Sequence, residues 1–223
     1  MEQIADTHLA VLVPAAGMGL RLGLGPKAFL EIDGRPLLAW LAKKLLRVAN
    51  EVVIAVPPGD VERAQSMCPG CTCIGGASSR QETVELLLQA SSSSVVLIQD
   101  LARPFCSADL VRSVGEAALV HGVAGAFWNP NVPVARIGEG QLVEQAWPAA
   151  GMAVFQAPQA FQRAVLVRTF KLARDHEWRT QSTLELVLAA GESVFAVPGE
   201  VQNIKITTLQ DWQLAQHLKA YLV

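Results

Sequence analysis

A short apolar run followed at once by a glycine-rich loop, in residues 9–27, constrains the fold of this 223-residue chain more than any other feature. The run itself reads LAVLV and contains no polar residue. Such a short, continuous apolar segment is typical of a parallel strand that is buried on both faces. Pro14 ends it, because proline has no amide proton to donate to a sheet. The sequence therefore predicts a buried strand that carries a loop at its carboxyl end.

The loop has the composition of a polyphosphate-binding site. Gly17 and Gly19 permit backbone angles that turn successive amides toward one anion, and Arg21 and Lys27 add full positive charges. Two common nucleotide motifs do not fit: Leu22 occupies the third glycine position of the dinucleotide fingerprint, and proline precedes Lys27 where a P-loop has glycine. An ordinary glycine-rich turn with two surface cations stays an alternative.

Apolar strands alternate with helical patterns along the rest of the chain. Strands are predicted at residues 51–56, 72–74, 95–98, 123–128, 152–156 and 193–197, and helices at 36–47, 79–90, 107–121, 158–176, 183–190 and after 208. This alternation favours a single α/β domain over residues 1–223, with a Rossmann-like, doubly wound, mainly parallel sheet. Ligands bind such sheets at the carboxyl ends of the strands. There the glycine loop, Gly75-Gly76 and the segment QDLARP at 99–104 are expected to meet.

The strand–helix alternation lapses between about residues 129 and 151. Two strand-like pieces, 134–137 and 141–147, are separated by Gly138-Glu139-Gly140. This pattern predicts a β-hairpin arm that protrudes from the sheet. An apolar arm needs a partner surface, so we predict a homodimer through it; a loop without fixed structure is the alternative.

Composition excludes several classes of partner. The net charge of −2 gives no basic footprint for nucleic acid, and no apolar run reaches the roughly 18 residues that span a membrane. With no basic region at its start, the chain is expected to be a soluble cytoplasmic protein.

Cys68, Cys71 and Cys73 have metal-like spacing but lack a neighbouring fourth ligand, so small reduced thiols are favoured over structural zinc.

Six motifs occur together and in order. They are PAAGMGLR at residues 14–21, Pro26-Lys27, GGASSRQETV at 75–84, DLARP at 100–104, Ala157-Pro158-Gln159 and NIKIT at 203–207. In this combination the chain closely resembles the 2-C-methyl-D-erythritol 4-phosphate cytidylyltransferase family. The resemblance implies an enzyme of non-mevalonate isoprenoid biosynthesis that transfers the cytidylyl group of CTP to 2-C-methyl-D-erythritol 4-phosphate and releases pyrophosphate, with Mg²⁺ as cofactor. It also implies a homodimer through the arm.

Residue roles follow from this resemblance. Arg21, Lys27 and Lys205 would be catalytic cations at the CTP phosphates, and Asp100 would hold the metal and contact both substrates. Further nucleotide-binding residues would be Pro14, Ala15, Ala16, Gly17, Met18, Gly19, Gly76, Ala77 and Thr83, and further acceptor-binding residues would be Arg103, Val134 and Arg136. Read without the resemblance, Lys205 is a solvated lysine, Asp100 is a turn cap, and Arg103 forms a salt bridge with Asp100.

The residues at the positions where the family binds the acceptor phosphate depart from the family pattern. Val134 stands where the family has threonine, and Trp147-Pro148-Ala149 stands where it has a Val-Asp-Arg segment whose arginine binds the acceptor phosphate. Losing that arginine would cost about 1.5–3 kcal/mol, the scale of a charged hydrogen bond. Two alternatives therefore stay open. The chain could act on another polyol phosphate such as ribitol 5-phosphate, or it could bind CTP without catalysis.

Overall fold

The computed structural model of the chain describes residues 8–19, 22–180 and 182–222. The strands are β1 (Leu9–Pro14), β2 (Glu31–Ile32), β3 (Arg35–Pro36), β4 (Glu51–Val56), β5 (Thr72–Gly75), β6 (Val95–Ile98), β7 (Val123–Trp128), β8 (Val134–Ile137), β9 (Val143–Trp147), β10 (Val154–Gln162) and β11 (Phe195–Pro198). The helices are α1 (Leu37–Leu45), α2 (Val61–Met67), α3 (Arg80–Gln89), α4 (Ala108–His121), α5 (Arg163–Asp175), α6 (Thr183–Ala189) and α7 (Leu209–His217). None of the helices in the described ranges is long and apolar enough to cross a membrane.

Seven strands form the central sheet, in the order β11-β7-β10-β6-β1-β4-β5. The pairs β1–β4, β1–β6, β4–β5 and β7–β11 are parallel, and β10 alone runs antiparallel to its neighbours β6 and β7. The predicted α/β class with a mainly parallel sheet is confirmed. Because β1, β4, β5 and β6 are parallel, the loops that follow them leave the sheet at one edge.

Helices cover both faces of this sheet, which explains the unbroken apolar strands. On β1, Val11 and Val13 belong to the core cluster packed by α1, α4 and α7, whereas Ala10 and Leu12 belong to the cluster packed by α3, α5 and α6. All four residues are fully buried. A strand with both faces covered has no position for a polar side chain, as its sequence predicted.

The strand β10 corrects one sequence-based boundary. A helix was expected from residue 158, because proline favours the first helical position. Instead β10 continues to Gln162, and α5 begins at Arg163. The pairing of β10 with β7 shifts register between Gln156 and Gln159, so Pro158 lies in a bulge where no ladder amide is needed.

Residues 129–151 contain a separate two-stranded antiparallel sheet, in which Val134 pairs with Trp147 and Arg136 with Gln145. Several apolar side chains here are largely exposed: Val132 is 65%, Leu142 70% and Val143 63% exposed. Arg136 forms an ion pair with Glu144 across the hairpin, with Nε and Oε2 2.9 Å apart. The role of this hairpin as a dimerisation arm stays a prediction.

Candidate active site

The loop after β1 lies at the edge of a cleft of about 580 Å³. The described residues that line the cleft are Pro14, Ala15, Ala16, Gly17, Met18, Gly19, Lys27, Ser78, Arg80, Asp100, Leu101, Ala102 and Lys205. They come from the end of β1 and the loops after β1, β5 and β6, from the start of α3, and from the segment before α7. The structure thus brings together most of the predicted donor residues at the carboxyl edge of the sheet, where a doubly wound fold binds its ligands. Arg21 lies outside the described residues.

The glycine loop is shaped by close backbone contacts. Gly19 has a positive φ of 67°, and a Cβ there would lie 2.3 Å from the carbonyl oxygen of Gly25. Within the described part of the chain, none of the main-chain amides of residues 16–19 donates to a protein acceptor. Successive amides of this kind beside a cleft have the arrangement of an anion-binding nest.

Gly76 lets the loop after β5 approach the glycine loop. A Cβ on Gly76 would lie only 2.3 Å from the Cβ of Ala16. The hydroxyl of Thr83, a residue that is 3% exposed, donates to the carbonyl oxygen of Ser79 and accepts from the amide of Ala77. Its single proton is therefore used to shape the 76–79 loop.

Asp100, just after β6, is the acidic centre of the cleft. Its Oδ1 lies 3.0 Å from Nη2 of Arg80, and its Oδ2 lies 2.9 Å from Nζ of Lys205. The side chain is 14% exposed, against 33% for Arg80 and 47% for Lys205. Burial alone would raise the pKa of Asp100, but the two cations outweigh it and hold the pKa at about 2. The carboxylate is therefore ionised at neutral pH.

Lys205 belongs to a segment without regular secondary structure that is fixed on both sides. Before it, the Asn203 side chain donates to the carbonyl oxygen of Ala157 at 2.7 Å. After it, the amide of Ile206 donates to the carbonyl oxygen of Ala102 at 2.8 Å, and Nζ of Lys27 donates to the carbonyl oxygen of Ile206 at 2.7 Å. These bonds fix the segment that carries Lys205, and they tie the side chain of Lys27 to the same segment.

Two polar residues in the cleft, Arg80 and Ser78, were missed by sequence reasoning. Arg80 occupies the first turn of α3, whose capping box of Ser79 and Glu82 is present as predicted. A signal for Arg80 existed, because a cation in the first turn of a helix opposes the helix dipole and needs a compensating partner. That partner is Asp100, and a second bond joins Nη1 of Arg80 to Oγ1 of Thr183 at 3.3 Å.

Of the acceptor residues predicted from the resemblance, Asp100 lines this cleft, whereas Arg103, Val134 and Arg136 are not among its lining residues. Val134 and Arg136 are on the hairpin. Arg103 is 9% exposed; its Nη1 lies 2.5 Å from the carbonyl oxygen of Asn203, and its Nη2 lies 3.4 Å from that of Phe155. The ion pairs of Asp100 in the described structure are with Arg80 and Lys205, so the salt bridge to Arg103 considered from the sequence is not formed.

The carboxylate of Asp100 and the neighbouring main-chain amides fit a magnesium ion that binds together with phosphate groups. Mg²⁺ binds through one or two carboxylates together with substrate phosphates, and Asp100 beside the anion site offers that arrangement. No group of three or more His, Cys, Asp or Glu side chains within the described ranges is placed to hold a metal without a ligand. Cys68, Cys71 and Cys73 are buried, and burial is the main cause that raises the pKa of each thiol, to about 12 in Cys68 and about 11 in Cys71.

One cleft at the edge of this α/β sheet contains the main-chain amides of the glycine loop, two lysines and one carboxylate. This combination defines a nucleotidyltransferase-type site. The family model described as 2-C-methyl-D-erythritol 4-phosphate cytidylyltransferase matches residues 9–220. The chain is 40% identical to the protein of that name from Thermus thermophilus over 95% of the chain and 97% of the relative. It is 36% identical to that of Deinococcus radiodurans over 98% of the chain and 92% of the relative. A crystal structure of the Thermus thermophilus protein superposes with a TM-score of 0.82 at 36% identity, covering 96% of this chain and all of that one.

The chain therefore belongs to the 2-C-methyl-D-erythritol 4-phosphate cytidylyltransferase family.

Proposed function

We propose that this protein transfers the cytidylyl group of CTP to 2-C-methyl-D-erythritol 4-phosphate, giving 4-diphosphocytidyl-2-C-methyl-D-erythritol and pyrophosphate. The observation that carries the proposal is the meeting of the glycine loop, Lys27, Lys205 and Asp100 in one cleft. Membership of the family supports the choice of both substrates.

The chemistry needs positioned charges more than a general base. A phosphate oxygen of the acceptor attacks the α-phosphorus of CTP, a new P–O bond forms, and the bond between the α-phosphorus and the bridging oxygen breaks as pyrophosphate leaves. The attacking phosphate monoester is already largely dianionic at neutral pH, so no proton has to be removed from it. Catalysis then depends on alignment and on stabilising the negative charge of the transition state.

Each donor residue has a part in that stabilisation. We propose that the amides of residues 16–19 bind the CTP phosphates, Lys27 neutralises them, and Lys205 reaches the α-phosphate. Arg21 is proposed to add a further cation. Asp100 would hold a magnesium ion, which when bound neutralises charge on the triphosphate.

The base site is proposed at the loop formed by Gly76, Ala77 and Ser78. Main-chain groups there can distinguish the exocyclic amine of cytosine from a carbonyl oxygen, because one donates and the other accepts hydrogen bonds. Thr83 contributes indirectly by fixing the loop.

Arg103, Val134 and Arg136 stay predicted acceptor contacts. For Arg136 this requires its guanidinium to exchange Glu144 for a phosphate.

We also propose that the hairpin of residues 129–151 joins two copies of the chain, because its exposed Leu142 and Val143 need cover. Light scattering should show a dimer, and the double substitution of Leu142 and Val143 by Asp should give monomers; a wild-type monomer contradicts the proposal.

The test of function is pyrophosphate release with CTP and a panel of acceptors, followed by mass spectrometry of the product. Methylerythritol phosphate should give the highest kcat/KM, and Lys205→Met should abolish most of it. If ribitol 5-phosphate is preferred, the departures at Val134 and Ala149 mark a different acceptor. CTP binding without pyrophosphate release from any acceptor would contradict an enzymatic role.

A further inference from the structure

The guanidinium of Arg80 joins three parts of the structure at the cleft. It belongs to α3, it binds Oδ1 of Asp100 on the loop after β6, and it binds the hydroxyl of Thr183 at the start of α6. None of the roles proposed above for the CTP-binding residues involves Arg80. Thr183 is 5% exposed, so this second bond ties the guanidinium to a buried side chain.

The two cations on Asp100 differ in how firmly they are held. Arg80 has two side-chain partners and is 33% exposed, whereas Lys205 meets the carboxylate through one contact and is 47% exposed. A planar guanidinium fixed at two points loses less freedom for each bond than a flexible ammonium group. Of the two carboxylate oxygens, Oδ2 is therefore the one whose partner can be exchanged.

We propose that Arg80 is a positioning residue that keeps Oδ1 of Asp100 occupied and turns Oδ2 toward the metal and the phosphates. Oδ2 would then be the oxygen that holds a divalent cation bound with CTP, and Lys205, no longer paired with Asp100, would contact the α-phosphate. Arg80 itself contacts Asp100 rather than the nucleotide. This inference rests on the proposed function, since it assumes that CTP and a divalent cation bind in this cleft.

Calorimetric titration of the full-length protein with CTP, once with Mg²⁺ and once with EDTA, tests the proposal. In Arg80→Met the gain in CTP affinity that Mg²⁺ provides should fall about tenfold, the scale of one charged hydrogen bond. CTP affinity in EDTA should stay within about twofold of wild type. An equal loss with and without Mg²⁺ would mean that Arg80 binds the nucleotide directly, and an unchanged or larger Mg²⁺ gain would mean that it does not orient Asp100; either result overturns the proposal.

Two further variants separate positioning from charge. Thr183→Val keeps both charges but removes the second anchor, so it should lower the Mg²⁺ gain in the same direction and by a smaller factor. Arg80→Lys keeps the charge but cannot make both bonds at once, so it should restore the gain only in part. Full restoration by lysine would contradict positioning. Arg168→Met, which breaks the surface ion pair with Glu192, is the matched control and should behave as wild type.

Failure of this inference can be told from failure of the proposed function. If wild-type protein does not bind CTP under either condition, the proposed function is wrong. If it binds CTP with a Mg²⁺ gain that the Arg80 and Thr183 variants leave intact, only the role of Arg80 is wrong. Thermal melting of each variant, measured alongside, shows that the compared proteins are folded.

Discussion

Replacing Gly76 by alanine should move the proposed base site away from the proposed phosphate site without removing any polar group. The new Cβ would lie 2.3 Å from the Cβ of Ala16, more than 1 Å closer than ordinary van der Waals contact. Both atoms are fixed directly to main chain, so no side-chain rotation relieves the overlap. The two loops must move apart, and overpacking of this kind costs about 1–3 kcal/mol in free energy of unfolding.

The functional effect follows from the same displacement. A shift of about 1 Å in a site that positions two parts of one ligand can cost about a hundredfold in rate. We therefore expect Gly76→Ala to weaken CTP binding by about 10- to 100-fold, measured by calorimetric titration, and to lower the urea midpoint. The main-chain groups that are proposed to bind the base are unchanged in kind, so the expected loss is purely geometric.

A compensating substitution tests this reasoning. Ala16→Gly removes the atom that the new methyl group meets, so Ala16→Gly combined with Gly76→Ala should recover most of the lost CTP affinity. Gly59→Ala is the control, because a Cβ there meets nothing within 4 Å. The steric argument is refuted if Gly76→Ala binds CTP as tightly as wild type, or if the double variant binds no better than the single one.

Three further predictions concern single charged side chains. Lys205→Met should lower kcat by about a hundredfold or more in a pyrophosphate-release assay, with a much smaller change in the affinity for CTP, because charge at the α-phosphate grows in the transition state. Lys44→Met should lower the free energy of unfolding by about 3–5 kcal/mol in urea titrations, since this 3%-exposed lysine donates to three main-chain carbonyl groups that would lose their partner. The pKa of Asp100 is held at about 2, below its usual 3.8, so the ionised group stabilises the fold at neutral pH and this contribution is lost as the pH falls through about 2. Between about pH 4 and pH 2, wild type should lose about 2 kcal/mol more free energy of unfolding than Asp100→Asn, and equal losses would contradict the assigned pKa.

Local patterns predicted the strands and helices around the cleft well, because each of these elements is specified by a short segment of chain. The unbroken apolar run in β1 fixed a strand covered on both faces, and the capping box at Ser79 fixed the start of α3. Strand order then placed the glycine loop and Asp100 at one edge, with no need to know any side-chain contact.

Other features depend on partners that a local pattern does not contain. The continuation of β10 through Pro158 is stabilised by pairing with β6 and β7 on either side, which outweighs the local preference of proline for a helix start. Arg80 was overlooked for a similar reason. Its partners Asp100 and Thr183 lie 20 and 103 residues away, so only the folded chain shows that they meet.

Arg103 shows how a motif can identify a residue without fixing the direction of its side chain. The tight turn in which the amide of Arg103 donates to the carbonyl oxygen of Asp100 allows neighbouring side chains to leave in different directions. Asp100 faces the cleft, whereas the guanidinium of Arg103 lies in the interior and donates to the carbonyl oxygen of Asn203, two residues before Lys205. Burial is the main cause that lowers the pKa of Arg103 from its ordinary value, partly offset by Asp100. For the proposed reaction, a guanidinium held in this way would act by fixing the segment that carries Lys205.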